Sequence, residues 1–482
     1  MHRFRIKSAV LFFLGAVYAL LFYHAELGLN LLLFDGLLIG LTLWLRPELA
    51  RHRGFVWSVG GLLFAAGSVV LVHGSASMIA HHLTYLLVVG FARERELRFV
   101  WFGLLLGGIS LFQGPIRWGK RWRTAQAGSS RVRQWSLDAR IGNLFVAAAI
   151  FFPFLGLYLA GNGRFFQWAS WLADALTSWK LNPDFIWRCL LCVFGSWLCI
   201  TLFFPHTGDS RLVFWQSGFR DELLRERVKN RTQHQRPRPR NMALKYEYQQ
   251  SVIVFGALNL LLAVVNATDL RYVWLPGESL SAATLSKFVH EGTTNLSFAV
   301  VLAMLVVLFY FRGNLNFLGS APALRPLARV WLAQNALLAV SVGLRNWHYI
   351  NAYGLALGRV YVIVALLLIL FGLLTLWRKI DRRLSVPYLL QTNGMAVWLA
   401  LLLFGAVNWS GVITRYNLAT QAATAVDWEY LSRGLDRRNT LLLVKRPDYP
   451  KEYWARNRKY YGGYTDWRSW NYADWRNYRA LR

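Results

Sequence analysis

Acidic residues are scarce in this chain, with 24 Asp+Glu among 482 residues against 54 Lys+Arg and a formal net charge of +30. Charged residues of both signs make up only 16% of it, where an ordinary soluble domain carries about 25%. A low charged fraction with a large net charge excludes most soluble enzymes. A disordered chain is excluded as well, because such chains lack apolar residues and 55% of this one is hydrophobic. A histone-like basic protein would not carry 23 Trp and 31 Phe. Cysteine is nearly missing. Cys189, Cys192 and Cys199 fall in one apolar stretch and share a helical face,. They form no disulfide framework, and a redox or zinc reading of the CxxC gives way to small packing residues. Walker, GxSxG, HExxH and GxGxxG signatures are all lacking, as is a kinase catalytic set. No catalytic residue and no cofactor is therefore assigned. A long internal repeat is also missing, which leaves an inverted-repeat transporter without support.

What is there is apolar sequence in spans. A crossing helix needs about 20 mainly apolar residues. Twelve segments approach that: Ala9 to Tyr23, Gly28 to Leu45, Phe55 to Val72, Ala76 to Phe91, Phe99 to Gln113, Asn143 to Ala160, Phe185 to Phe204, Ser251 to Ala267, Ser297 to Phe311, Val330 to Leu344, Arg359 to Trp377 and Met395 to Val412. The first has a basic start like a signal peptide, but no clean cleavage site follows, so an uncleaved anchor is expected.

Loop cations set the orientation. Arg3, Arg5 and Lys7 place the N-terminus in the cytoplasm, and Arg46, Arg51 and Arg53, then Arg93, Arg95 and Arg98, mark cytoplasmic links. The next link, Gly114 to Gly142, is also strongly basic, with Arg117, Lys120, Arg121, Arg123, Arg131, Arg133 and Arg140. It wants to be inside, yet one more crossing puts it outside. The segment between the two basic links, Phe99 to Gln113, has 15 residues and reaches only about 22 Å as a helix. It therefore reads as re-entrant or in-plane. The expectation is an all-α polytopic helical bundle of about 11 spans, with twelve spans as the rival. The chain divides into an N-terminal membrane region 1–204, a basic cytoplasmic loop 205–250, a C-terminal membrane region 251–412 and an extracytoplasmic aromatic tail 413–482.

Ionisable groups at membrane depth are costly and are functional candidates. Asp35, His81 and His82 qualify, and hydrogen bonding among them across the bundle is the alternative. In the eleven-span scheme five polar stretches reach one outer face. They supply Asn266, Asp269 and Arg271; His290 and Glu291; Arg345, Asn346 and His348; Arg359; and Arg415, Tyr416 and Asn417. Asp269, Arg271, His290, Glu291, Arg345, His348 and Arg415 thus form a candidate ligand-binding or polar cluster. Zinc would need several of Asp269, His290, Glu291 and His348 to converge at about 2 Å, and the spacing does not demand it, so no metal is assigned. Asn259, Gln334, Asn335 and Asn408 read as interhelical hydrogen-bonding residues,.

Phe165 to Leu181 is amphipathic and Trp-rich, suited to the membrane interface,. The tail from Lys451 onward is dense in Tyr and Trp and repeats DWRSWNY as DWRNY. Its rings suit base stacking, but outside the cytoplasm the interface, sugars or another envelope protein are the natural partners. Basic loops beside a membrane attract lipid headgroups, so membrane lipids are expected as partners and nucleic acid is not.

The stretches VHEGTTN, FYFRGNLNF, LAQNALLAVSVGLRNWHYINAYGL and NWSGVITRYNL resemble bacterial polytopic membrane proteins grouped as a domain of unknown function, number 4173, related to number 4153. The likeness covers roughly Tyr246 to Trp428. It implies a bacterial inner membrane and a multi-helix fold, and it supplies no site residues. The function expected is a non-enzymatic envelope component that recognises a ligand, lipid or partner at its outer face. Two alternatives stand beside it. One is a membrane-embedded transferase for a lipid-linked substrate using His290, Glu291 and His348, and the other is a transporter using Asp35, His81 and His82.

Overall fold

The computed structural model describes residues 2–94, 96–126, 155, 158–159, 161–177, 183–204, 216, 218–224, 241–275, 282–318, 322–422, 426–453 and 466–481. Among these residues the fold is helical throughout, with no β-strand. That follows from the apolar composition: in lipid every backbone N–H and C=O must bond internally, and a helix does so within one segment. Among the described residues eight helices are long and apolar enough to cross a membrane, and Leu29–Leu45 and Asn295–Tyr310 are shorter apolar helices. The chain is a multi-pass membrane protein. Of the expected spans, Asn143 to Ala160 lies outside the described residues except for 155, 158 and 159, and the basic stretch Arg225 to Arg240 and most of the loop after Gln126 lie outside them as well.

The helices fall into two compact units. The first contains α1 (His2–Phe22), α2 (Leu29–Leu45), α3 (Arg53–Val72), α4 (Ser75–Arg93), α5 (Val100–Gln126), α6 (Gly163–Thr177) and α7 (Pro183–Phe203). One end of this unit is tied by cations that cap helix C-termini, where carbonyls lack partners. Buried Arg46 donates from Nη1 to the Leu202 carbonyl at 2.9 Å and from Nη2 to the Ala92 carbonyl at 2.8 Å. Lys7 Nζ reaches the Phe203 carbonyl at 3.3 Å. The start of α1 and the ends of α2, α4 and α7 therefore share this end.

Helix α5 corrects the reading of a 15-residue segment, because it runs unbroken for 27 residues with Pro115 inside. Shortness is thus not what keeps it from crossing. Its contacts are. Trp197 Nε1, on α7, donates to the Leu111 carbonyl at 2.8 Å, and Trp118 Nε1 reaches Ser8 Oγ at 3.3 Å near the start of α1. Arg93, before the segment, donates to Ser110 Oγ at 2.9 Å and lines one cavity with Arg117, beyond it. The two flanking basic groups lie at the same end of the unit, so α5 does not carry the chain across. Close packing at Gly90 against Gly103, and at Gly107 against the Leu86 carbonyl, lets it press on α4, since a Cβ at either site would strike backbone,.

The second unit contains α8 (Asn241–Asp269), α9 (Ala282–Tyr310), α10 (Leu324–Tyr353), α11 (Leu357–Arg382), α12 (Val386–Gly405), α13 (Trp409–Thr420) and the short α14 (Thr440–Val444). A core of Phe255, Val307, Phe311, Ala328, Leu332 and Ile380 holds α8 to α11 together. A five-residue π-turn, Leu270–Trp274, extends α8. The expected last span, Met395 to Val412, is corrected: the helix breaks, and Asn408 caps α13 by accepting from Gly411 N at 3.0 Å. Asn408 is a helix cap rather than an interhelical bridge.

A last helix, α15 (Tyr472–Leu481), forms in the aromatic tail. The tail segment 466–479 belongs to the first unit and packs on the turns at the end of α1 away from the N-terminus. Arg468 Nη1 donates to the Leu20 carbonyl at 2.8 Å, and Leu29 N donates to the Trp470 carbonyl at 2.8 Å.

Candidate functional site

In the first unit the polar residues of the spans form two buried His–Asp pairs. Asp35 lies in α2 and His81 in α4, each within the apolar middle of its helix. His81 Nε2 is 2.7 Å from Asp35 Oδ2, and both side chains are almost fully buried. The carboxylate accepts, so the ring donates from Nε2. The other ring nitrogen, Nδ1, is buried with no partner among the described residues. His82 does not join them. It is exposed, and its Nδ1 donates to the Met78 carbonyl at 2.7 Å.

The second pair was missed in the sequence. His73 ends α3 in the left-handed region at φ 55°, and its Nδ1 is 2.6 Å from Asp474 Oδ2 in the tail. Asn471 Nδ2 also donates to that oxygen at 2.8 Å, while Asp474 N donates back to Asn471 Oδ1 at 2.8 Å. This is a reciprocal cap at the start of α15, with Asp standing where Glu usually does. The tetrapeptide Asn471–Asp474 carried that signal. The repeat therefore splits in role. In its first copy Asp466 caps a turn through Arg468 N at 2.9 Å and pairs with the Arg468 guanidinium at 2.7 Å, which holds its carboxyl below the usual range. In the second copy the aspartate is buried on His73. Asn30, fully buried, staples the α1–α2 turn beneath the tail by donating to the Leu21 and Glu26 carbonyls at 3.1 and 2.9 Å.

In the second unit α8 and α10 run parallel, since rising residue numbers on one pair with rising numbers on the other. Asn259 Nδ2 donates to the Leu327 carbonyl at 3.0 Å and its Oδ1 accepts from Gln334 Nε2 at 2.8 Å. Asn266 Nδ2 donates to the Gln334 carbonyl at 3.1 Å. Farther along, Asp269 pairs with Arg345, both buried, and His348 Nε2 donates to the Val273 carbonyl at 3.2 Å. Trp274 Nε1 donates to Ser341 Oγ at 2.9 Å. The polar residues recur at sevens (Asn259, Asn266; Gln334, Ser341, His348), the spacing that keeps one face on a partner helix. Asn335, by contrast, bonds its own helix at the Trp331 carbonyl at 2.8 Å.

The proposed outer cluster thus assembles only in part. Asp269, Arg345 and His348 meet along the α8–α10 seam. Arg271 is exposed, with its guanidinium 5.8 Å from the Tyr272 ring, and Arg415 is exposed on α13. His290 and Glu291 lie on the backbone of α9, with side chains outside the described residues. No group of three or more His, Cys, Asp or Glu able to hold a metal occurs among the described residues. Arg359 turns away to cap α10, donating to the Tyr353 carbonyl at 3.0 Å and to the Gly354 carbonyl, and stacks 4.2 Å over Tyr349. Around it Asn417 brackets Leu355, accepting from its N–H at 2.6 Å and donating to its carbonyl at 2.9 Å. Tyr430 OH accepts from Leu357 N at 2.9 Å, and Asn346 Nδ2 donates to the Arg359 carbonyl at 3.1 Å. The conspicuous RNWHYINAYGL motif is a helix end knitted to α13.

The three cysteines are free and sit along α7, with Cys199 fully buried, Cys192 half-buried and Cys189 exposed. Neither the curated proteins nor the solved structures contain a match to the chain. A family model matches residues 54–445, a longer stretch than the resemblance in the sequence suggested, and it is number 4153 rather than 4173. Because that match spans most of the chain, the protein belongs to the family described as a domain of unknown function, DUF4153.

Proposed function

We propose that the protein is a non-enzymatic component of the bacterial inner membrane that recognises a lipid, ligand or partner at the face carrying its aromatic tail. The observation that carries this reading is the docked tail. His73–Asp474, Arg468 to Leu20 and Leu29 to Trp470 fix residues 466–479 on the helical turns beneath them. Trp467 and Tyr472 remain exposed at 58% and 41%, beside Trp475 and Arg479, whose guanidinium is 5.0 Å from the Trp475 ring. Aromatic and Arg side chains on a rigid support are the groups that dominate recognition surfaces. Asp35 pairs with His81 and Asp269 with Arg345, and Lys379 donates to the Phe311 carbonyl, which suits support better than turnover.

Complementation of a gene deletion tests this reading. Replacing Trp467 and Tyr472 together by Ala should abolish complementation while membrane abundance stays normal. Full complementation would overturn the reading.

A transporter is favoured by one observation, the Asp35–His81 pair within the spans with His81 Nδ1 unpartnered among the described residues. Such a group can carry a proton. Asp35→Asn would then abolish proton-coupled uptake in proteoliposomes, and unchanged uptake would dismiss that role.

A further inference from the structure

At the end of the first unit that carries the start of α1, α5 folds back beside α4 and α7 and encloses a small cavity. Its volume is about 10 Å³, the space of roughly one water-sized group. Arg93 and Arg117 both line it, with Ser110, Gln113 and Thr201. Each guanidinium is held by one neutral contact: Arg93 donates to Ser110 Oγ at 2.9 Å and Arg117 donates to Gln113 Oε1 at 3.2 Å. That leaves Arg93 Nε and Arg117 Nη1 buried and unpartnered among the described residues. Among the described residues no carboxylate lines the cavity; Glu94, next to Arg93 in the chain, interacts with it electrostatically from outside the lining.

Two fixed cations facing one cavity repel each other, and a buried N–H without an acceptor costs about 1–3 kcal/mol. At the same end Arg46 and Lys7 donate to helix carbonyls. Among the described residues nothing supplies the two guanidinium groups with a shared acceptor of negative charge. A phosphate oxygen satisfies both, because it accepts from two guanidinium groups at once and carries the charge that their proximity calls for. The cavity admits one such oxygen, and the rest of the phosphate must lie at its mouth.

We infer that Arg93 and Arg117 form a phosphate-binding site at this end of the first unit, built by the turn-back of α5. This site is independent of the tail face. Phosphate could arrive as a phospholipid headgroup or as the free ion, and basic pockets between membrane helices are suited to the former.

The test uses the purified full-length protein in nanodiscs and in detergent, with phosphatidylglycerol, phosphatidylcholine and inorganic phosphate as probes. Retained phosphatidylglycerol, read by native mass spectrometry, should fall about tenfold for Arg93→Gln and for Arg117→Gln, as expected for loss of a charge-assisted bond. Arg51→Gln, an exposed cation outside the cavity, should retain the wild-type amount. Stabilisation of the wild type by inorganic phosphate alone, lost in the variants, would assign the site to the free ion. Stabilisation by phosphatidylglycerol alone would assign it to a headgroup. Should a Gln variant fail to fold, Arg117→Lys keeps the charge but not the fork, and should bind with intermediate strength. Equal retention by wild type and the cavity variants, or equal loss in Arg51→Gln, would overturn the inference.

Discussion

Asp269 and Arg345 show what a charge inside this protein does. Each was read in the sequence as a candidate site residue, and each turns out to answer the other across the α8–α10 seam. Removing one partner leaves an uncompensated buried charge, which costs about 3–5 kcal/mol, whereas replacing both with apolar groups is often neutral. Arg345→Gln should therefore lower the thermal unfolding temperature of the purified protein markedly, and Asp269→Leu combined with Arg345→Met should recover most of the loss. A double variant as unstable as the single one would show that the pair is not the unit. The sequence exposed the cost of such groups but not their partners, because pairing depends on which helices adjoin. Asp35 and His81 were legible for the same reason, being ionisable in apolar runs. His73 was not, since a histidine at a span end looks ordinary, and its partner lies 401 residues away.

Helices differ in how plainly they announce their limits. Apolar length marked the crossing helices well, because a span must hide its backbone for about 30 Å. Breaks were less legible. Asn408 looked like a polar residue within a span, although an Asn followed three residues later by Gly411, whose N–H it accepts, is a capping arrangement,. Gly354, at φ 78°, ends α10 in a conformation that L side chains avoid,. An added Cβ would also lie 2.6 Å from Asn417 Oδ1. Gly354→Ala should destabilise the second unit by about 1–3 kcal/mol, seen as faster amide exchange through residues 350–360. Unchanged exchange would mean that the α10–α11 turn tolerates the strain. At the tail, His73→Ala should free the docked segment and speed proteolysis after residue 466, with Asp474→Asn giving a smaller effect because Asn471 still bonds that side chain. Equal protection in wild type and His73→Ala would show that the His–Asp pair does not hold the tail.

For the whole molecule, part of the surplus of Lys and Arg gathers at one end of the first unit in two roles. Some cations close the end of the first unit by capping helix carbonyls, as Arg46 and Lys7 do. Others line the cavity that α5 creates. The conflict between two successive basic links was legible in the sequence as a violation of charge bias. Its physical resolution was not, because α5 is a long helix whose flanking cations nonetheless share one end. The tail lies at the other end of α1. The charge bias of the links predicts one topology, with residues 94–99 and the basic end of α5 cytoplasmic and residues after α13 outside. Single cysteines at Arg98, Lys120 and Thr420, in a variant whose three native cysteines are Ala, test it with a membrane-impermeant maleimide on intact spheroplasts. Labelling at Thr420 alone, with Arg98 and Lys120 both reacting only after lysis, is the result expected. Opposite behaviour at Arg98 and Lys120, or protection at Thr420, would contradict it.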